Sequence, residues 1–189
     1  MTKILIISGS PRKKTVSLRL AKHIFATLKK RDEIEVDLLD VREFGLPSIQ
    51  VVWQKKEDVP SEYLPLFQKM KSAEGFILVS PEYNGGYSSD LKNLLDHFPK
   101  SIYKKKAFGI VTGSLGSLGG MRAAQKLLLL VPALFGIASP FMMITPQMDK
   151  KFDGDGNLSD ESFSDNIDIF ISEYLWLLER LKSYENQLT

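Results

Sequence analysis

The feature that most limits the fold of this chain is a rhythm. Short apolar runs with no polar alternation are each followed by a longer segment with helical spacing. Lys3–Ser8 (KILIIS), Gly75–Ser80 (GFILVS) and Lys106–Thr112 (KAFGIVT) have the pattern of strands buried on both faces. Ile34–Leu39 (IEVDLL) alternates more and predicts a strand nearer an edge, and Pro140–Thr145 (PFMMIT) predicts a last strand. Between them, Val16–Lys30 sets Leu18, Leu20, Ala21, Ile24, Phe25 and Leu28 on one helical stripe. Further helices are predicted over Pro60–Ser72, Leu91–Phe98, Gly120–Phe135 and Asp160–Leu188, with Pro60 suited to a first turn. Residues 40–59 read as irregular.

A βα alternation of this kind points to one parallel sheet with helices on both faces. Five strands and five helices predict an α/β, flavodoxin-like, doubly wound sheet with strand order 2-1-3-4-5. At 189 residues the chain is expected to form one domain over 1–189, with a core large enough to need no staple. It has no cysteine, which excludes a disulfide framework, a thiolate metal site, a cysteine nucleophile and a CxxC redox pair. Two distant histidines give little material for a metal site, and none is expected. Lys+Arg 25 against Asp+Glu 23 leaves +2, not the basicity of a nucleic-acid binder.

Only four apolar residues, Ile4 to Ile7, stand near the start, too few for a signal peptide. The 22 uncharged residues from Leu127 to Met148 reach the length of a membrane span. Pro132, Gly136, Pro140 and Pro146 interrupt them, so a helix followed by a buried strand is the better reading. The expectation is a cytoplasmic protein with no membrane partner.

In doubly wound sheets ligands bind beyond the carboxyl ends of the strands. After the first strand comes Ser8-Gly9-Ser10-Pro11-Arg12-Lys13-Lys14-Thr15-Val16-Ser17, with three cations running into a helix start. Unpaired amides at a helix start attract an anion. Ser10, Thr15 and Ser17 can donate to phosphate oxygens, and Arg12 can clamp them; a bare helix cap at Thr15 or Ser17 is the alternative. The spacing is neither a Walker loop nor G-x-G-x-x-G. After the third strand, Ser80-Pro81-Glu82-Tyr83-Asn84-Gly85-Gly86-Tyr87 forms a sharp turn with a flat ring and an amide. After the fourth, Thr112-Gly113-Ser114-Leu115-Gly116-Ser117-Leu118-Gly119-Gly120 lets backbone approach a flat ligand; plain flexibility is the alternative.

These residues resemble the NADPH-dependent FMN reductases, a family that includes azoreductases, quinone reductases and chromate reductases. The resemblance rests on Gly9-Ser10-Pro11-Arg12, Pro81-Glu82-Tyr83-Asn84-Gly85, Leu91-Lys92-Asn93 with Asp96, and Gly113 to Gly120 with Arg122. It implies FMN held at its phosphate by Ser10, Arg12, Thr15 and Ser17. The isoalloxazine would lie against Pro81, Glu82, Tyr83, Asn84 and Gly85 and against Ser114, Leu115 and Gly116. Two departures bear on the electron acceptor: Gly86-Tyr87-Ser88-Ser89 replaces a glycine, isoleucine, proline run, and His97 stands where tryptophan is common.

The resemblance implies an oxidoreductase that passes electrons from NADPH or NADH through FMN to a small acceptor such as a flavin, quinone, azo compound or metal oxyanion. No catalytic side chain is expected, because hydride chemistry belongs to the flavin. The rival is a flavodoxin-type carrier without its own NAD(P)H oxidation; such carriers are usually acidic, and this chain is not. Asp153-Gly154-Asp155-Gly156-Asn157 imitates a calcium loop, but Leu158 and Ser164 break the pattern. His23 reads as solvated, and His97 as a surface or interface residue in preference to a proton source. The helix over Gly120–Phe135 is apolar nearly all round, which predicts a homodimer or homotetramer unless the closing helix covers it.

Overall fold

The computed structural model of the chain describes residues 1–188, with side chains through Ser183. The sheet has the order β2 (Ile34–Asp40), β1 (Thr2–Ser8), β3 (Gly75–Pro81), β4 (Ala107–Gly113), β5 (Ile137–Ala138), and neighbouring strands run parallel. Every residue of β3 (Gly75–Pro81) and β4 (Ala107–Gly113) is buried, as their unbroken apolar runs require. In β1 (Thr2–Ser8) the last five positions are buried. At the edge, β2 (Ile34–Asp40) keeps partly exposed positions, which explains its mixed sequence.

Alternate residues of each strand feed opposite cores. Leu5, Ile7, Phe76, Leu78, Phe108 and Ile110 pack with α2 (Leu64–Ser72), α3 (Ser89–Asp96) and α4 (Met121–Ala133). Ile4, Ile6, Ile77, Val79, Ala107 and Val111 pack with α1 (Ser17–Leu28) and α6 (Ser164–Leu188). Each fully buried aliphatic side chain of this size is worth about 1.5–3 kcal/mol. The sheet is thus held from both sides, and its ends are left for chemistry.

Several sequence expectations are corrected. The last strand, expected over 140–145, is two short pieces: β5 (Ile137–Ala138) beside the start of β4, and β6 (Met143–Thr145) beside its end. Pro140 has no N–H for the ladder, so the chain leaves β4 after the Ser139 amide bonds the Phe108 carbonyl at 2.8 Å, and returns at Met143. The second helix starts at Leu64 after a 3₁₀ turn over Ser61–Tyr63, and Pro65, not Pro60, occupies its first turn. A short helix, α5 (Met148–Lys151), follows β6 and adds one element to those expected.

Both histidines are also placed differently. His97 is buried, its Nδ1 paired with the Asn93 carbonyl at 2.7 Å and its ring 4.6 Å from that of Trp53. His23 is half-buried, with Nδ1 2.9 Å from the Gly156 carbonyl. At the calcium-like turn, Asp153 accepts from the amides of Asp155 and Asn157, both at 2.9 Å, which makes it a tight acidic turn.

The closing helix α6 lies on the face opposite α4 and does not cover it. α4 buries Ala123, Ala124, Leu127 and Val131 and leaves Leu128 and Leu129 exposed, with Met121, Phe135 and Ile137 exposed nearby. Among the described residues no helix is long and apolar enough to cross a membrane.

The contact between β4 and α6 gives a direct check of the packing. A Cβ on Gly109 would come within 2.8 Å of Phe170 Cζ and 3.1 Å of Tyr174 Cδ2. Gly109→Val is expected to lower the unfolding free energy by roughly 1–3 kcal/mol in urea titrations, the cost of overpacking a filled core.

Candidate functional site

The carboxyl ends of β1, β3 and β4 meet, and the loops after them wall a cleft of about 280 Å³. One wall is the β1–α1 loop. Ser10 and Ser17 are almost fully buried within it. Ser10 Oγ pairs with the Tyr83 hydroxyl at 3.0 Å and accepts from the Arg12 amide at 3.4 Å. Thr15 Oγ1 and Ser17 Oγ lie 3.0 Å apart. Val16 is the N-cap of α1 and no side chain caps that helix. Neither hydroxyl is therefore consumed as a cap, and the partial positive charge of the helix start adds to the cations Arg12 and Lys14.

The opposite wall begins with Pro81, Glu82 and Tyr83. Tyr83 and Gly86 exchange backbone hydrogen bonds of 2.8 and 3.0 Å around Asn84 and Gly85. Those two residues have φ of 50° and 75°, as a tight I′-type hairpin demands, which is why asparagine and glycine stand there. The Arg12 guanidinium lies 4.4 Å from the Tyr83 ring centroid, a cation–π contact that ties the two walls together. Deeper in, Ser88 donates its hydroxyl to the Gly9 carbonyl, while its amide donates to Ser80 Oγ at 3.0 Å. Ser80 in turn donates to the Pro81 carbonyl at 2.9 Å. Two adjacent strand ends are thus cross-braced beneath the cleft.

Glu82 has a different task from its neighbours. Its Oε2 accepts from the amides of Arg122 at 3.0 Å and Ala123 at 3.2 Å, the first turn of α4. The carboxylate answers the helix dipole from outside the helix and turns away from any anion in the cleft. Gly120, at φ 85°, is the N-cap residue of α4 and offers no side chain for the purpose.

The third wall, Ser114 and Leu115, is hydrogen-bonded from behind at Ser114. The Ser114 amide donates to the Thr145 carbonyl at 3.2 Å, and the Met148 amide donates to the Ser114 carbonyl at 3.1 Å. Gly119 sits at φ 61°, where a Cβ would come within 2.7 Å of Ile144 Cγ2 and of the Pro146 nitrogen. Only glycine lets the loop pass β6 this closely.

Nine of the sequence-chosen residues line one cleft: Ser10, Arg12, Thr15, Ser17, Pro81, Glu82, Tyr83, Ser114 and Leu115. Asn84, Gly85 and Gly116 stand outside its lining. Lys14, Val16, Gly113 and Met148 also line it and were not chosen. Lys14 is one of the three cations visible in the loop; Met148 arrives only through the turn after β6.

A five-position parallel sheet with a cationic, hydroxyl-rich cleft at its switch point defines a flavodoxin-like fold. The model of the NADPH-dependent FMN reductase family matches residues 2–144. The FMN-dependent NADPH-azoreductase of Staphylococcus aureus is 31% identical over 180 residues, covering 89% of this chain and 91% of that protein. FerB, a flavoenzyme NAD(P)H:(acceptor) oxidoreductase from Paracoccus denitrificans, superposes with a TM-score of 0.78 at 22% identity over 95% of this chain and 98% of its own. The FMN complex of an FMN-dependent NADH-azoreductase from Bacillus anthracis gives 0.55 at 16% identity over 97% and 99%.

The chain belongs to the NADPH-dependent FMN reductase family. It is an FMN-dependent NAD(P)H oxidoreductase, and the carrier alternative is not favoured.

The role of Glu82 separates scaffold from ligand contact. Glu82→Ala is expected to destabilise the flavin-free protein by roughly 0.5–2 kcal/mol, the range for loss of a helix cap, when unfolding is followed in urea.

Proposed function

We propose that the cleft holds FMN with its phosphate among Ser10, Arg12, Thr15 and Ser17, and its ring against the Pro81–Gly85 and Ser114–Gly116 segments. The carrying observation is the asymmetry of the donor set. One wall offers three hydroxyls and two cations, and the one carboxylate in the lining is turned onto α4. The other walls offer Pro81, Tyr83, Leu115 and Met148, mostly apolar surface suited to a flat heterocycle.

Bound FMN would supply the redox centre, accepting a hydride equivalent from a nicotinamide and passing two electrons on to a separate acceptor. The chain's own residues bind and orient. Arg12 neutralises phosphate charge while its contact with Tyr83 keeps the β3 turn in register with the phosphate loop. Backbone at Ser114 to Gly116, held by β6, fixes the third side.

The acceptor is proposed to be a small molecule, with azo compounds as the leading class. The azo reading draws on the relative from Staphylococcus aureus. NADPH is the proposed donor: Lys13, Lys14, Arg19, Lys22 and Arg42 line a second groove that meets the cleft at Lys14 and Thr15, and no carboxylate lines that groove. The enzyme is proposed to work in the cytoplasm.

Anaerobic mixing of the yellow holoprotein with NADPH is expected to bleach the flavin directly, and faster than NADH does. A flavin that stays oxidised without a partner reductase would return the carrier reading. Arg12→Ala is expected to weaken FMN binding by roughly 1–3 kcal/mol in fluorescence titrations, the scale of one charge-assisted contact.

A homodimer through the outer face of α4 is proposed as well, since Leu128, Leu129, Phe135 and Ile137 leave apolar surface there. Light scattering at micromolar concentration is expected to give at least twice the chain mass, and Leu129→Glu to give the chain mass. A wild-type monomer that retains flavin and full turnover would remove the dimer from the reading.

A further inference from the structure

Arg42 lies just past β2, in a 3₁₀ turn over Val41–Glu43, on a strand that contributes no residue to the cleft lining. Its guanidinium nevertheless reaches the phosphate loop. On one side Nε donates to Asp40 Oδ1 at 2.8 Å and Nη2 donates to Oδ2, a side-on fork. The Arg42 amide adds a third bond to Oδ1 at 3.0 Å. On the other side Nη1 donates to the carbonyl oxygens of Arg12 at 3.3 Å and Lys13 at 3.0 Å.

This is a strong anchor for a surface arginine. The Asp40 side chain is only 9% exposed, so the carboxylate end of the fork is shielded from water while the Arg42 side chain stays partly exposed. The hydrogen bond to Asp40 is the largest influence on Arg42, outweighing desolvation and holding its pKa above the ordinary value. Arg42 therefore stays charged, and the fork on Asp40 aims it at the loop.

The consequence is geometric. A loop of this kind can present either N–H groups or carbonyl oxygens toward a bound anion, and carbonyl dipoles repel phosphate. We propose that Arg42, aimed by Asp40, is a positioning residue for the phosphate loop. It holds the Arg12 and Lys13 carbonyls on the outside, so that the amides, hydroxyls and the Arg12 side chain serve the anion. The proposal rests on the reading that this loop holds the FMN phosphate. Lysine could keep the charge beside Asp40 but has no fork to span a carboxylate and two carbonyls.

The test uses flavin-stripped full-length protein titrated with FMN and with riboflavin, which lacks the phosphate, by fluorescence quenching. Wild type is expected to prefer FMN strongly. Arg42→Ala should raise the Kd for FMN by about tenfold, the low end for loss of one charged hydrogen bond, and leave that for riboflavin unchanged. Arg42→Lys retains a cation against Asp40 and so retains the fold; it should show the same selective loss. Unchanged FMN affinity in both variants, or equal losses for FMN and riboflavin, would overturn the positioning role. A wild type that binds riboflavin as tightly as FMN would instead overturn the phosphate reading beneath it.

Discussion

A parallel strand covered on both faces has room for polar side chains only near its ends. In β1, β3 and β4 this constraint sorts the chain cleanly. Aliphatic and aromatic residues fill two cores, and hydroxyls, cations and glycines collect where the strands stop. Because the sheet winds in both directions from β1 and β3, the loops beyond those neighbouring strands part and leave a crevice. Burial therefore determines where the chemistry sits as well as how the chain folds.

What turns that crevice into a site is bracing from outside it. Glu82 ties the β3 loop to the start of α4, and Ser88 ties the end of β1 to the end of β3. Thr145 ties the β4 loop to β6, and Arg42 ties the β1–α1 loop to the end of β2. None of these four contacts requires a ligand. A cleft braced in this way loses less ordering entropy when a ligand binds.

The strands and most helices were legible because their signals are local. An unbroken apolar run of strand length between turn residues has few other readings, and the helical stripe of α1 is equally plain. Most of the cleft was legible for the same reason, since each loop carries its polar and glycine residues in one stretch after a strand. What could not be read depends on tertiary placement. The split of the last strand follows from Pro140 meeting the ladder of β4. Burial of His97 follows from Trp53 folding across it, and Met148 joins the cleft because β6 delivers it there. The engagement of Glu82 with α4 was hidden because its partners are backbone amides forty residues on, which no side-chain motif announces.

The most direct test of the central claim is a crystal structure of the FMN complex. The phosphate is expected within hydrogen-bonding distance of Ser10 and Ser17 with the Arg12 guanidinium beside it, and the ring between the Pro81–Tyr83 and Ser114–Leu115 walls. A phosphate found away from the β1–α1 loop, or a flavin seated outside the three strand-end loops, would contradict it.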